Sequence, residues 1–202
     1  MSGPDALTRT GTAETARKAI HAVAGGAAAT VAWIAPPSAA RVVLLGAVAI
    51  ALIIELLRML VPAVGRRFDA TLGSMLRPGE RRGLTGATAL AIGAALAVLF
   101  FPGRSAAVGI LYAAFGDAAA ALVGRRFGRL IYRSGRTVEG TATFFLVALL
   151  IGCTTLDATF LAAAVAAAVV TLVEAAPIPL SDNLLIPIAG AAACRWVTAL
   201  PI

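Results

Sequence analysis

The sequence predicts an all-α protein, a polytopic bundle of about seven transmembrane helices with its N-terminus in the cytoplasm. Three observations predict it. The chain of 202 residues is 60% hydrophobic and only 13% charged, against roughly 25% charged residues in a soluble domain. Its mean hydropathy is +0.92, and its apolar runs recur at lengths near the ~20 residues that carry a helix across a ~30 Å hydrocarbon core. The positive charges, finally, are concentrated in alternate loops, which is how orientation in a bilayer is encoded.

Residues 1–16 form a polar N-terminal segment ahead of a single transmembrane domain, 17–202. No signal-peptide pattern with a cleavage site is present, so the N-terminus is read as mature. The first span covers roughly 19–35 and stops at "APPSAAR", whose prolines end a helix. The second, roughly 41–61, is the aliphatic run "VVLLGAVAIALIIELLRML". The third, roughly 84–101, lies between "RPGERRG" and "FPGR", and the fourth, roughly 105–124, follows directly. Only the polar "CTTLDAT" divides the fifth from the sixth, roughly 141–156 and 158–176. The seventh, roughly 184–200, follows the breaker "APIPLSDN". Stretches such as "LAAAVAAAVV" let helices approach closely in lipid, which predicts a compact bundle. No internal repeat is visible, against a transporter built from matching halves.

The charge pattern sets the orientation. The N-terminal segment holds Arg9, Arg17 and Lys18. The second loop holds Arg66, Arg67, Arg77, Arg81 and Arg82, and the fourth holds Arg125, Arg126, Arg129, Arg133 and Arg136. Thirteen of the 17 basic residues therefore fall on one side, and only Arg41 and Arg104 fall in loops on the other. The net charge of +7 is thus a topology signal, and no soluble basic domain exists to bind nucleic acid. Cys153 and Cys194 lie in apolar runs and read as small buried side chains, with neither metal spacing nor a disulfide framework.

The other polar residues gather at the cytoplasmic leaflet. His21 and Lys18 begin span one, Glu55 and Arg58 end span two, and Asp117 lies near the inner end of span four. Glu139 begins span five, Glu174 ends span six, and Asp182 with Asn183 begins span seven. A charge at membrane depth costs a few kcal/mol and needs a partner or a purpose. Glu55 and Arg58, three apart on one helical face, can serve simply as each other's counter-ion. His21 can be an interfacial histidine without duty. Arg66, Arg67 and Arg129 read as topology signals, and Arg195 beside Trp196 as an outer interfacial anchor. Asp117 has neighbours "FG" and "AAAALVG" that offer no partner. Asp117, Glu139 and Asp182, together with arginine forks, suit a polyanion held by Mg²⁺, which bridges phosphates through one or two carboxylates. Gly116, Gly124, Gly128, Gly135 and Gly140 allow close backbone approach. Neither a P-loop nor a kinase Gly-rich loop is present.

Six motifs in order, "RKAIH", "ELLR", "LRPGERRGLTGAT", "GDAAAALVGRRFGR", "RTVEGT" and "EAAPIPLSDNLLIPIAG", resemble the CTP-dependent lipid-alcohol kinases. That group includes dolichol kinase, phytol kinase and the CTP-dependent diacylglycerol kinase, and is distantly similar to phosphatidate cytidylyltransferases. The resemblance runs from about residue 16 onward. It implies a transferase that uses CTP as phosphoryl donor, Mg²⁺ as cofactor and a membrane lipid alcohol as acceptor, working at the cytoplasmic face. Carried onto this chain, it points to Arg17, Lys18, His21, Arg77, Glu80, Gly116, Asp117, Gly124 and Arg125. It also points to Glu139, Gly140, Glu174, Asp182 and Asn183, with Glu55, Arg58 and Thr85 in support. Where the family often has Lys-Ser before the "EG" pair, this chain has Arg136 and Thr137, followed by Val138, which keep the charge and the hydroxyl. Asp117, Asp182 and Glu139 are the expected metal ligands, and Glu174, Asp182 and His21 the candidates for general base. Alternatives are a cytidylyltransferase acting on a lipid phosphate and a non-catalytic transporter. Homo-oligomerisation stays open.

Overall fold

The computed structural model describes residues 4–81, 83–132 and 135–199, with side chains from Thr12 onward. Arg82 and Arg133, two of the basic loop residues above, lie outside the described residues, as does the Arg9 side chain. Every apolar segment singled out in the sequence is helical. The helices are α1 (Pro4–Ile34), α2 (Pro37–Leu60), α3 (Pro62–Leu72), α4 (Gly86–Phe100), α5 (Gly103–Leu111), α6 (Asp117–Phe127), α7 (Val138–Thr155), α8 (Phe160–Ala175) and α9 (Asp182–Ala199).

Prolines and threonines set the helix starts. Pro37 and Pro62 sit in the first turns of α2 and α3, where the missing N–H costs nothing. Thr85, Thr137 and Thr159 cap α4, α7 and α8, each side chain accepting a bond from a backbone N–H three residues on, the usual way to satisfy an orphan donor. Two features depart from the sequence reading. Helix α1 starts at Pro4 and runs through most of the polar N-terminal segment. The loop after span two contains α3, an amphipathic helix with no buried residue. Its Phe68 and Leu72 share one face, four residues apart.

Among the described residues, three helices are long and apolar enough to cross a membrane: Pro37–Leu60, the continuous Gly103–Phe127, and Val138–Thr155. Gly86–Phe100 and Phe160–Ala175 are shorter apolar helices. The most apolar window of α2 is only 17% buried, and Ile50, Ile53, Leu56 and Leu60 point outward. An exposed apolar face of this extent is at home in hydrocarbon and not in water. These features mark an integral membrane protein.

The bundle is held by close backbone contact. Helix α9 packs against α4, α5 and α8. At the α5–α9 crossing, a Cβ on Gly109 would lie 2.3 Å from the Pro187 carbonyl oxygen, and one on Gly190 would lie 2.9 Å from the Gly109 Cα. Only glycine permits that approach, and in lipid the resulting van der Waals contact is a main source of helix association. Tyr112, Phe144 and Ile186 are fully buried in one apolar core cluster. Between α5 and α6 the backbone widens into one π-turn, Tyr112–Gly116, a local form found mostly at functional sites.

Candidate functional site

Cavity and walls are built where α7 and α9 begin and α6 and α8 end, beside the middle of α1. A cavity of about 650 Å³ opens there. Helix α1 contributes Glu14 and Lys18, α6 contributes Asp117, Gly124 and Arg125, and α8 and α9 contribute Glu174 and Asp182. The segment entering α7 contributes Arg136, Thr137, Gly140 and Thr141, and Arg77 reaches in from the loop before α4. All of these except Glu14 belong to five separate sequence motifs; the fold brings them to one wall.

Each charge on the wall has a partner. Lys18, 3% exposed, donates from Nζ to Asp117 Oδ2. This corrects the reading of Asp117 as a carboxylate without a counter-ion: the cation comes from α1, 99 residues earlier. Arg136 Nη2 donates to Asp182 Oδ2 at 2.7 Å, and its Nε lies 3.5 Å from Glu174 Oε1. Asp182 is therefore paired as well. Arg17 donates from Nε to Glu14 Oε2 at 2.9 Å, while Arg77 stands 3.7 Å from Glu14 Oε1. Burial alone would raise the Glu14 carboxyl, but hydrogen bonds and charge from Arg17, then Arg77 and Lys18, hold it below the ordinary carboxylate range. Four basic and four acidic side chains line the cavity, so its charges balance in number.

The floor is made by small residues. Helices α6 and α7 meet so closely that a Cβ on Gly124 would lie 2.8 Å from Thr137 Oγ1 and 3.5 Å from the Gly140 Cα. Thr137 Oγ1 accepts from Gly140 N at 3.1 Å, and Val138 N donates to the Leu130 carbonyl at 3.0 Å. The first N–H groups of α7 are thus largely occupied. The wall's positive charge therefore lies in its side-chain cations rather than at a helix terminus.

Several expected residues fall elsewhere. The Glu139 carboxylate accepts from the backbone N–H of Arg129 at 3.0 Å and of Leu130 at 3.4 Å and does not line the cavity, so it braces the preceding loop instead of completing a metal site. Among the described residues no three His, Cys, Asp or Glu side chains converge as metal ligands. Asp117 and Asp182 remain, two carboxylates on one cavity wall, which fits the sparse protein ligation of a Mg²⁺ that arrives on substrate phosphates. Gly116 packs against Phe144, 2.9 Å from a Cβ position. Glu55 and Arg58 form a buried pair that braces the 80–88 segment. Arg58 Nη2 donates to the Glu80 carbonyl at 2.9 Å, and Glu55 Oε1 accepts from Thr85 N at 2.7 Å and from Thr88 Oγ1 at 2.8 Å. Asn183 Nδ2 donates to the Gly86 carbonyl at 2.9 Å. Arg17, His21, Glu80 and Thr85 line a second, smaller groove beside the cavity.

No family model, curated protein or solved structure matches this chain. The functional reading therefore rests on the residues and their arrangement. Glu14 is the wall residue that the sequence reading passed over. Its spacing of three and four from Arg17 and Lys18 was the available signal.

Proposed function

We propose that this chain is a membrane-embedded kinase that transfers the γ-phosphate of CTP to the hydroxyl of a membrane lipid alcohol. The supporting observation is the cavity wall, where Lys18, Arg77, Arg125 and Arg136 stand around Asp117 and Asp182. Phosphoryl transfer asks a protein for alignment and charge stabilisation more than for covalent chemistry. Lys18, Arg77 and Arg136 would turn from their carboxylate partners, and Arg125 from Thr15, to phosphate oxygens, which guanidinium forks match in geometry. Asp117 and Asp182 would hold Mg²⁺, which when bound offsets negative charge on the phosphates. The acceptor hydroxyl forms the new O–P bond as the bond between the γ-phosphorus and the bridging oxygen breaks, releasing CDP. Its proton passes to a carboxylate. Glu174 takes this role, since it lines the cavity without being needed for the metal. CTP labelled at the γ-phosphate should pass its label to lipid. Transfer of α-label would instead make the chain a cytidylyltransferase, and transfer of neither would remove the enzyme reading.

On the resemblance alone, CTP is the preferred donor. Higher kcat/KM with CTP than with ATP is the expected result in a side-by-side assay with purified protein, and equal or better turnover with ATP counts against it.

The same reading places the cavity at the cytoplasmic face of seven spans, on the bias of basic residues toward one set of loops. In a background lacking Cys153 and Cys194, Gly79→Cys and Arg129→Cys should react with an impermeant maleimide only from the cytoplasmic side. Labelling of either from outside would invert the topology and move the site with it.

A further inference from the structure

The smaller groove has the composition of a tail-binding slot: the surface it opens is almost wholly apolar, although polar residues stand at one end. One side is apolar, formed by Ile20 of α1, Phe68 and Leu72 of α3, and Met75 with Leu76 beyond it. At the other end stand Arg17, His21, Glu80 and Thr85. The polar end is tightly built around Gly86, where a Cβ would meet Asn183 Nδ2 at 2.8 Å, His21 Cε1 at 3.0 Å and Glu80 Oε1 at 3.2 Å. Helix α3 buries none of its residues against the bundle. Its Arg66 and Arg67 are exposed, the pattern of a helix lying in the membrane interface. A helix of this pattern would set the groove it roofs at the depth where lipid headgroups meet their chains.

An independent observation points to a ligand. His21 is 5% exposed, and its Nδ1 is buried with no hydrogen-bond partner. A buried ring nitrogen left unpaired is costly, and a bound water or the hydroxyl of a ligand seated beside it would supply the partner. The groove also shares a rim with the cavity. On α1, Glu14 and Lys18 line the cavity while Arg17, Ile20 and His21 line the groove. In the loop, Leu76 lines the groove and Arg77 the cavity.

We propose that this groove receives the hydrocarbon tail of the acceptor lipid next to its hydroxyl, with His21 as the polar contact for that end. The proposal takes the acceptor's hydroxyl from the kinase reading above; the tail contact stands on the groove itself. The probes are a long-chain prenyl alcohol and a diacylglycerol, each carrying a diazirine a few carbons from the hydroxyl, with a tail-diazirine phosphatidylcholine as control. Irradiation of the full chain in nanodiscs should place the label of at least one alcohol on Phe68, Leu72, Met75 or Leu76. Unlabelled alcohol should compete, and the phosphatidylcholine should mark α2 instead. Ala87→Trp, at an exposed position on the groove wall, should lower groove labelling about tenfold, equivalent to ~1.4 kcal/mol. Thermal protection by Mg²⁺ and CTP should persist in this variant, which shows that it is folded. His21→Phe, of similar volume, should erase the preference for the alcohol over its methyl ether. Alcohol labels that map outside the groove, or unchanged labelling in Ala87→Trp, would overturn the proposal, even if phosphate transfer from CTP is observed. Groove labelling without any phosphate transfer would uphold the slot and reject the kinase reading.

Discussion

Replacing Asp117 with asparagine is expected to lower phosphoryl transfer by about 10²-fold or more, the usual loss when one charge-stabilising group leaves a transition state. Asparagine keeps an oxygen for Lys18, so the buried ammonium retains an acceptor and the protein should still insert and fold. What it loses is the negative charge that would hold Mg²⁺ beside the phosphates. Asp182→Asn should behave alike, since Asp182 stands on the same cavity wall with Arg136 as its ion-pair partner. The two together should lose little more than either alone, because groups that act as one unit give strongly non-additive effects. Both variants should also lose the Mg²⁺-dependent thermal protection given by CTP. An Asp117→Asn protein with near-normal turnover would reduce the Lys18–Asp117 pair to a packing feature.

Arg58→Ala should do the opposite kind of damage. Arg58 and Glu55 are both buried side chains, and removing one partner of a buried pair typically costs about 3–5 kcal/mol. Here the arginine also donates to the carbonyls of Glu80 and Gly83, so its loss strips the 80–83 segment of its anchor as well. A large fall in Tm in detergent is the expected result, with nucleotide protection still detectable in whatever protein stays folded. Replacing both residues, as in Glu55→Gln with Arg58→Met, should be milder than Arg58→Ala, because no unpaired carboxylate is left inside. If Arg58→Ala melts with the wild type, the pair is not a brace.

The contrast between these two acid–base pairs shows what was legible in the sequence. Glu55 and Arg58 are three residues apart on one helix, so their pairing follows from helical spacing alone. Lys18 and Asp117 meet only through the packing of α1 on the π-turn and α6, and no local pattern announces that. The helices themselves were readable because lipid demands long apolar runs and prolines punctuate them. Helix α3 was not, since the charged "VGRRFD" masks the spacing of Phe68 and Leu72. Glu139 misled for a related reason: an acid at a helix start reads equally as a ligand or as a brace for the preceding loop. Only the positions of the Arg129 and Leu130 N–H groups separate the two.

The π-turn at Tyr112–Gly116 acts as a phase shift in an otherwise continuous rod from Gly103 to Phe127. One residue is in effect spliced in, and each residue rotates a helix by ~100°. Upstream of the splice, Val108 and Ile110 keep the phase of the bundle core. Downstream, Asp117, Gly124 and Arg125 keep the phase of the cavity. Deleting Ala113 would let the rod close its ordinary hydrogen bonds and swing the whole downstream half by that angle, carrying Asp117 off Lys18 and Gly124 off Gly140. The span would remain a span, with helical circular dichroism intact, yet its acid would aim at the wrong neighbour. A deletion variant that kept wild-type turnover would show that the aim of Asp117 does not matter. Otherwise, one surplus residue separates a helix that only holds the membrane protein together from one that also points into its cavity.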